Sequence, residues 1–455
     1  MIGYDICNDY SQVAWYRPGM KEPEAVVFGE GDHPTQVATA ICKRRGKNEW
    51  VAGEDASRCA LLGDGSIVDK LLKLVSKDGT ATIEGVRYTA EDLLLAFLRT
   101  TLMMTVRYVR EWEERGKSSG TEPEAERQIE EFCGTDVRML VFSLPSMERK
   151  WMDMLVRCAG KLGIARDHVR MQSHSESFAF YTASQKLDIW ANDVGLFDLT
   201  REGLYFYRFC CVRGVRPNIL RVESSSLEEG FSLDLLDTES GRKLADSILA
   251  PCAERVMQKR VYSAVLLSGP GFAECSEWAS SFLKCVCSKR RVYMTENLFA
   301  RGAAYLAADS CLTSTQYPYR LECRGRVDTS VSLEVVSRGM PRKLTLVQAG
   351  ENWYDAGAEV EIFVNGKEPL ELILEPMGSG ARGQAPRRIP ISLADFPARE
   401  GYTTRLALSV RFAAEEKLMV EVKDLGFGEI YAASGRISRQ EVTLSGAKDQ
   451  REERL

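Results

Sequence analysis

The sequence predicts a mixed α/β domain followed by an all-β domain, and three observations carry that expectation. Up to about residue 310, short apolar strands alternate with amphipathic helices, as in a sheet covered by helices. Two strand–turn–strand units, one ending its first strand at Asp5 and the other at Asp198, repeat one logic within that stretch. From about Ser330 period-two alternation takes over, and no amphipathic helix interrupts it.

Composition bounds the possibilities. At 455 residues the chain is too long for one ordinary core, and two or three domains are expected. An apolar content of 44% with 27% charged residues describes a soluble globular protein. A net charge of −5 offers no basic face, so no nucleic-acid partner is expected. Thirteen cysteines without a C-x-x-C pair read as reduced thiols, and the chain starts on a strand rather than a leader, so a cytoplasmic location is expected. The most apolar long segment, Leu93 to Val109, carries Arg99 and Arg107, which argues against a membrane span.

The elements follow in order. Ile2 to Asp5 is an apolar strand, Cys7-Asn8-Asp9 a tight turn, and Val13-Ala14-Trp15 a returning strand. Glu84-Gly85 turns a short hairpin into Thr89, an N-cap with Asp92 three residues on. A helix then runs to Gly116, burying Leu94, Leu98, Leu102, Val106 and Val109, and a polar loop, Lys117 to Pro123, follows. Met139 to Phe142 reads as a strand buried on both faces. After Ser143-Leu144-Pro145-Ser146 comes a helix with Trp151, Leu155, Cys158 and Leu162 on one stripe, closed by Gly163.

Val194 to Leu199 and Leu204 to Phe209 form the second Asp-ended hairpin. Ala264 to Ser268 is another buried strand, ending in Gly269-Pro270-Gly271 before a helix with Phe272, Cys275, Ala279 and Phe282 inward. Beyond Ser330, strands are expected at Val331–Val335, Val360–Val364, Leu370–Leu374, Leu406–Phe412 and Leu418–Val422, with an Asn365-Gly366 turn among them.

Several of these segments resemble, in order, the DnaK-type (70-kDa heat-shock) chaperones of the actin-like ATPase superfamily. The opening hairpin is similar to that family's I-G-I-D-L-G-T-T pattern. Pro34 to Ala38 and Trp50 to Ala56 are similar to its P-S-x-V and V-G-x-x-A segments, and Ser173 to Tyr181 stands in the place of E-P-x-A-A-A-x-A-Y. Glu296 to Ala307, with Arg301-Gly302-Ala303-Ala304, resembles the closing helix. Ile389 through Asp424 resembles the peptide-binding β domain. The resemblance implies an actin-like ATPase fold, built of two ribonuclease-H-like halves with one trimmed, over 1–310. It implies a linker over 311–329, a chaperone-like β-sandwich over 330–445 and a charged tail over 446–455.

In that family the two aspartates anchor a hydrated magnesium and the glycine turns wrap the nucleotide's phosphates. By resemblance, Asp5 and Asp198 take the magnesium positions, and Asn8, Thr200, Gly203, Gly269 and Gly271 border the nucleotide of a Mg-ATP site. An aspartate at a strand end can equally cap its own turn. The cradle residues differ from the family's. Cys7-Asn8-Asp9 replaces Gly-Thr-Thr, and Asp9 would face the γ-phosphate, two like charges ~4 Å apart repelling by ~1 kcal/mol even in water. Thr200-Arg201-Glu202-Gly203 replaces Gly-Gly-Gly-Thr, and Glu176 lies about three residues from the family's catalytic glutamate. About 70 residues separate Asp198 from Gly269, roughly half the family's interval, so the subdomain over the adenine is expected to be missing. The coupling linker and helical lid are not visible either.

Other candidates carry less. Cys285-Val286-Cys287 lacks partner ligands at zinc spacing, and His33, His168 and His174 are too scattered for a ligand set or a triad. The Met377 to Gly383 loop reads as a sandwich loop rather than a phosphate cradle. The expectation is a DnaK-like protein with a degenerate nucleotide site, acting on a protein or peptide partner as a binding module or scaffold. The alternative is a minimal ATP-dependent chaperone, and a third reading is a self-assembling actin-like protein.

Overall fold

The two Asp-ended hairpins each seed a six-stranded sheet, and five strands of each share one order. The computed structural model describes residues 1–30, 33–117, 132–365, 370–377 and 385–444. The first sheet contains β1 (Ile2–Ile6), β2 (Tyr10–Trp15), β3 (Glu24–Ala25), β4 (Leu140–Leu144) and β5 (Val169–Ser173), in the order β5-β4-β1-β2-β3. The short strand Gln36–Ala38 also pairs with β2. The second contains β6 (Asp193–Thr200), β7 (Gly203–Val212), β8 (Ile219–Leu227), β9 (Tyr262–Ser268) and β10 (Arg291–Met294), in the order β10-β9-β6-β7-β8. In each, the opening strand is antiparallel to the next and parallel to the fourth, which is parallel to the fifth.

Helices fall at matching places. In the first half α1 (Ala90–Lys117) precedes β4, α2 (Arg149–Lys161) joins β4 to β5, and α3 (His174–Ala183) follows β5. In the second, α4 (Glu239–Val256) precedes β9, α5 (Cys275–Trp278) and α6 (Ser280–Val286) lie between β9 and β10, and α7 (Leu298–Asp309) follows β10. Every residue of β1 and β4 is buried, as continuous apolar runs between helix layers require. Helix α1 starts on a reciprocal cap: the Asp92 N–H donates to Thr89 Oγ1 at 3.2 Å and the Thr89 N–H to Asp92 Oδ2 at 2.9 Å. Gly163, at φ +82°, follows the end of α2.

The expected helix through Phe272, Cys275, Ala279 and Phe282 differs from the observed one. All four side chains are buried, yet the chain breaks at Ala279 into α5 and α6. Asp246 of α4 supplies the reason: its carboxylate accepts the backbone N–H of Ser281 at 2.9 Å and of Phe282 at 2.8 Å. Those bonds cap a fresh helix start from a neighbouring element.

Helix α7 packs against β1, β2 and β4 on one side and α3 on the other. Two glycines permit that approach. A Cβ on Gly3 would sit 2.1 Å from the Ala300 carbonyl oxygen, and one on Gly302 would sit 2.0 Å from that of Ser177. The small residues of the Arg301-Gly302-Ala303-Ala304 stretch are thus a steric requirement of this layer.

The chain forms two compact units, Met1–Cys210 with Val222–Pro318, and Cys211–Arg221 with Tyr319 onward. In the second unit, Ile219–Arg221 pairs in parallel with Arg320–Glu322. The unit also contains β11 (Thr329–Ser337), β12 (Met340–Val347), β13 (Gly357–Val364), β14 (Leu370–Pro376), β15 (Arg387–Ile391), β16 (Thr404–Ala414), β17 (Lys417–Asp424) and β18 (Ile437–Thr443). They form two four-stranded antiparallel sheets, β12-β11-β14-β15 and β13-β16-β17-β18. Alternate residues are buried, as along β16 at Leu406, Leu408, Val410 and Phe412. The chain is therefore mixed α/β with several sheets. The Asn365-Gly366 turn, the 377–383 and 117–123 loops and the tail from 446 lie wholly or partly outside the described residues. All thirteen cysteines are free thiols, and no helix among the described residues is long and apolar enough to cross a membrane.

Candidate functional site

The repeat places two aspartates alike. Asp5 of β1 lies opposite Ser143 on parallel β4, and Asp198 of β6 lies opposite Ser268 on parallel β9. Both are buried, with 1% and 3% of their surface exposed, so each carboxylate depends on what the protein offers it.

Asp5 is offered an imidazole. Its Oδ1 lies 2.8 Å from Nε2 of His174, the first residue of α3. A capping box fixes that helix start: the Glu176 N–H donates to Ser173 Oγ at 3.1 Å, and the Ser173 N–H donates to Glu176 Oε2 at 2.8 Å. The imidazole ring stacks on Phe299 of α7, with centroids 3.8 Å apart and planes 7° off parallel. Cys7, in the turn after β1, brings its Sγ within 3.8 Å of His174 Nε2 and 3.9 Å of Asp5 Oδ2. Burial pushes the Cys7 thiol well above its usual pKa, and the negative charges of Asp5, Asp198, Glu202 and Asp9 push it further.

The three histidines stay apart, but His174 alone joins the site. His33 and His168 are exposed, whereas His174 is folded onto Asp5, 169 positions away in the chain. The Ser173-x-x-Glu176 pattern was the available signal, since it marks a helix start directly after a buried strand and puts residue 174 in its first turn. Glu176, considered as a stand-in for a catalytic glutamate, is wholly buried and bonded into the cap.

Asp198 is treated differently. The Ser268 side chain on the neighbouring strand favours the charged carboxylate, but Oδ1 has no hydrogen-bond partner among the described residues. Burial raises its pKa to about 6; the nearby His174 opposes that rise and Asp5 adds to it. Burial, with Asp198 as the leading charge, also pushes up the phenols of Tyr10 and Tyr207.

The two turns are tied together. Asn8 Nδ2 donates to Glu202 Oε1 at 2.9 Å, while Asn8 Oδ1 accepts the Lys73 N–H at 3.0 Å. Thr200 Oγ1 accepts the Glu202 N–H at 3.2 Å, which holds the second turn, and Gly203, at φ +141°, begins β7. Gly269 and Gly271 serve packing against β6. A Cβ on Gly269 would lie 2.3 Å from the Leu199 carbonyl oxygen, and one on Gly271 would lie 2.3 Å from Leu199 Cγ. The structure thus brings together the turns that hold Asp5, Asn8, Asp198 and Thr200 and adds Cys7, His174 and Glu202, which sequence reasoning had not assigned a role there.

The donors present do not fit the magnesium–triphosphate group that the resemblance implies. Magnesium takes hard oxygen ligands and keeps several waters. Here one Asp5 oxygen is engaged by an imidazole, a thiol stands beside the other, and Asn8 with Glu202 spans the gap between the turns.

A family model described as "Family of unknown function (DUF5716) C-terminal" matches residues 22–324. The chain belongs to the DUF5716 family. The DUF5716 match takes in His174, Asp198 and Glu202, while Asp5, Cys7 and Asn8 precede it. A second model, "Domain of unknown function (DUF8552)", matches residues 326–444, the stretch that holds β11 to β18. No curated protein matches the chain.

Proposed function

We propose that this chain is a degenerate DnaK-type protein of the actin-like ATPase superfamily, acting in the cytoplasm as a protein- or peptide-binding module or scaffold with little or no ATP hydrolysis. The repeated strand order, with aspartates at matching register, supports an actin-like fold of two ribonuclease-H-like halves. The single helix α4 between the β7–β8 hairpin and β9 supports the trimming of the second half. The two antiparallel sheets from β11 to β18 support the chaperone-like β-sandwich.

One observation carries the loss of nucleotide chemistry. The Asn8–Glu202 hydrogen bond joins the two turns that, in the superfamily, part around the phosphates. A triphosphate would have to break that bond and lie beside the buried or half-buried acids Asp5, Asp9 and Asp198 and the exposed Glu202, whose charges repel it. The rival reading, a minimal ATP-dependent chaperone, draws on the unpartnered Oδ1 of Asp198, which a cation would satisfy. Fluorescence anisotropy of labelled extended peptides with the full chain separates the two. A binding module gives the same Kd with and without Mg-ATP. A Kd that Mg-ATP shifts severalfold, or no binding by any peptide, removes the proposal.

A further inference from the structure

The geometry points to a zinc site formed by Asp5, Cys7 and His174 within the first half of the α/β unit. The three donor atoms lie within 4.8 Å of one another, and among the described residues they form a mixed oxygen, sulfur and nitrogen cluster. Zinc accepts this donor set in tetrahedral geometry, with bonds of about 2.0–2.3 Å, so adjacent ligand atoms stand about 3.3–3.6 Å apart. The separations of Cys7 Sγ from His174 Nε2, 3.8 Å, and from Asp5 Oδ2, 3.9 Å, are close to those edges. The other Asp5 oxygen, Oδ1, lies 2.8 Å from Nε2, and that direct hydrogen bond must open by about half an ångström as it gives way to metal bonds.

Three further features favour a cation there. The imidazole is held in place before any ion arrives, by the capping box at Ser173–Glu176 and the stack on Phe299. The charges balance: a carboxylate, a thiolate and a neutral imidazole leave zinc with no net charge in a buried place. Asp198, 3% exposed and with Oδ1 unpartnered, is electrostatically coupled to all three side chains and adds negative potential. On binding, Cys7 Sγ gives its proton to solvent, His174 gives up the Nε2 proton it shares with Asp5 and stays neutral with its single proton on Nδ1, and water takes the fourth position beside the half-buried Cys7. The thiol and imidazole select zinc over magnesium, so this site is unlike the hydrated metal of a nucleotide pocket.

The inference goes beyond the degenerate-ATPase reading and does not depend on it. The test uses the full chain, purified reduced, stripped with a chelator and titrated with zinc and with cobalt. Elemental analysis is expected to give one zinc per chain, and cobalt a near-ultraviolet thiolate charge-transfer band. Cys7→Ser and His174→Gln each lose the band and weaken zinc binding by at least about a hundredfold, beyond the about 10–100-fold typical of second-shell losses. Cys287→Ala, at an exposed thiol, keeps both signals. Circular dichroism checks folding, and if one site variant fails to fold the other decides. A wild-type protein that takes up no stoichiometric zinc, or a cobalt band that survives in Cys7→Ser, overturns the inference. Nucleotide binding by a zinc-loaded protein would leave this inference standing and remove only the degenerate-ATPase reading.

Discussion

The first and second Asp-ended hairpins occupy matching places in matching sheets, yet their carboxylates meet opposite fates. Asp5 lies 2.8 Å from an imidazole, whereas Asp198 keeps one buried oxygen without a partner and is pushed up to about 6. Strand order and register do not explain this, because they are the same in both halves. The helix after the fifth strand does. In the first half it opens with His174, and in the second with Leu298. A repeated topology hands both halves the same scaffold, and one residue at a helix start decides whether a buried acid is matched.

A third buried aspartate, in the other unit, sets the scale for a fully partnered one. Arg399 donates two hydrogen bonds to Asp424, at 2.7 and 2.8 Å, and the backbone N–H groups of Gly426 and Ser434 add two more. Burial alone would raise the carboxyl; these partners outweigh it and hold it well below the usual range. Arg399→Ala is expected to cost about 3–5 kcal/mol in denaturant unfolding, because it strands a buried charge. A cost under 1 kcal/mol would show that partnering does not govern these acids.

Asp198 is expected to respond in the opposite direction. Its folded pKa, about 6, lies above the ordinary value of 3.8, so the folded state holds a proton that the unfolded state has released. Stability therefore falls as pH rises from about 4 to about 6 and stays reduced above that. Asp198→Asn removes the charge, and should raise unfolding free energy by up to about 3 kcal/mol at pH 8 and by little at pH 4. Chemical unfolding at the two pH values checks it; an equal effect at both would contradict the asymmetry.

The smallest effect belongs to the bond between the turns. Glu202→Ala leaves Asn8 Nδ2 without its acceptor, and should cost about 0.5–1.5 kcal/mol by the same assay. A gain would mean that charge repulsion among the acids outweighs the hydrogen bond.

Much of the scaffold was legible because local chemistry wrote it. The Thr89 cap, Gly163, the buried run at Leu140–Leu144 and the alternation in β16 and β17 each carry their own signal. Two strands carried too little. In β12 the residues from Met340 to Thr345 are exposed or half-buried, and β18 buries only Val442, so neither presents a run of buried apolar residues. The break at Ala279 was invisible because its cause, Asp246, is on another helix. The cluster at Asp5 was hidden for the same reason: its partners are 169 positions apart, and only the packing of α3 and α7 on the sheet brings the imidazole home.

We propose that the Asn8–Glu202 bond and the acids around it exclude a nucleotide from the two hairpin turns. A thermal-shift titration of the full chain with Mg-ATP and Mg-ADP tests it most directly, because a ligand bound only by the folded state must raise the melting temperature. The expected result is no change at millimolar nucleotide. A clear rise that Asp5→Ala or Asp198→Ala abolishes would contradict the account.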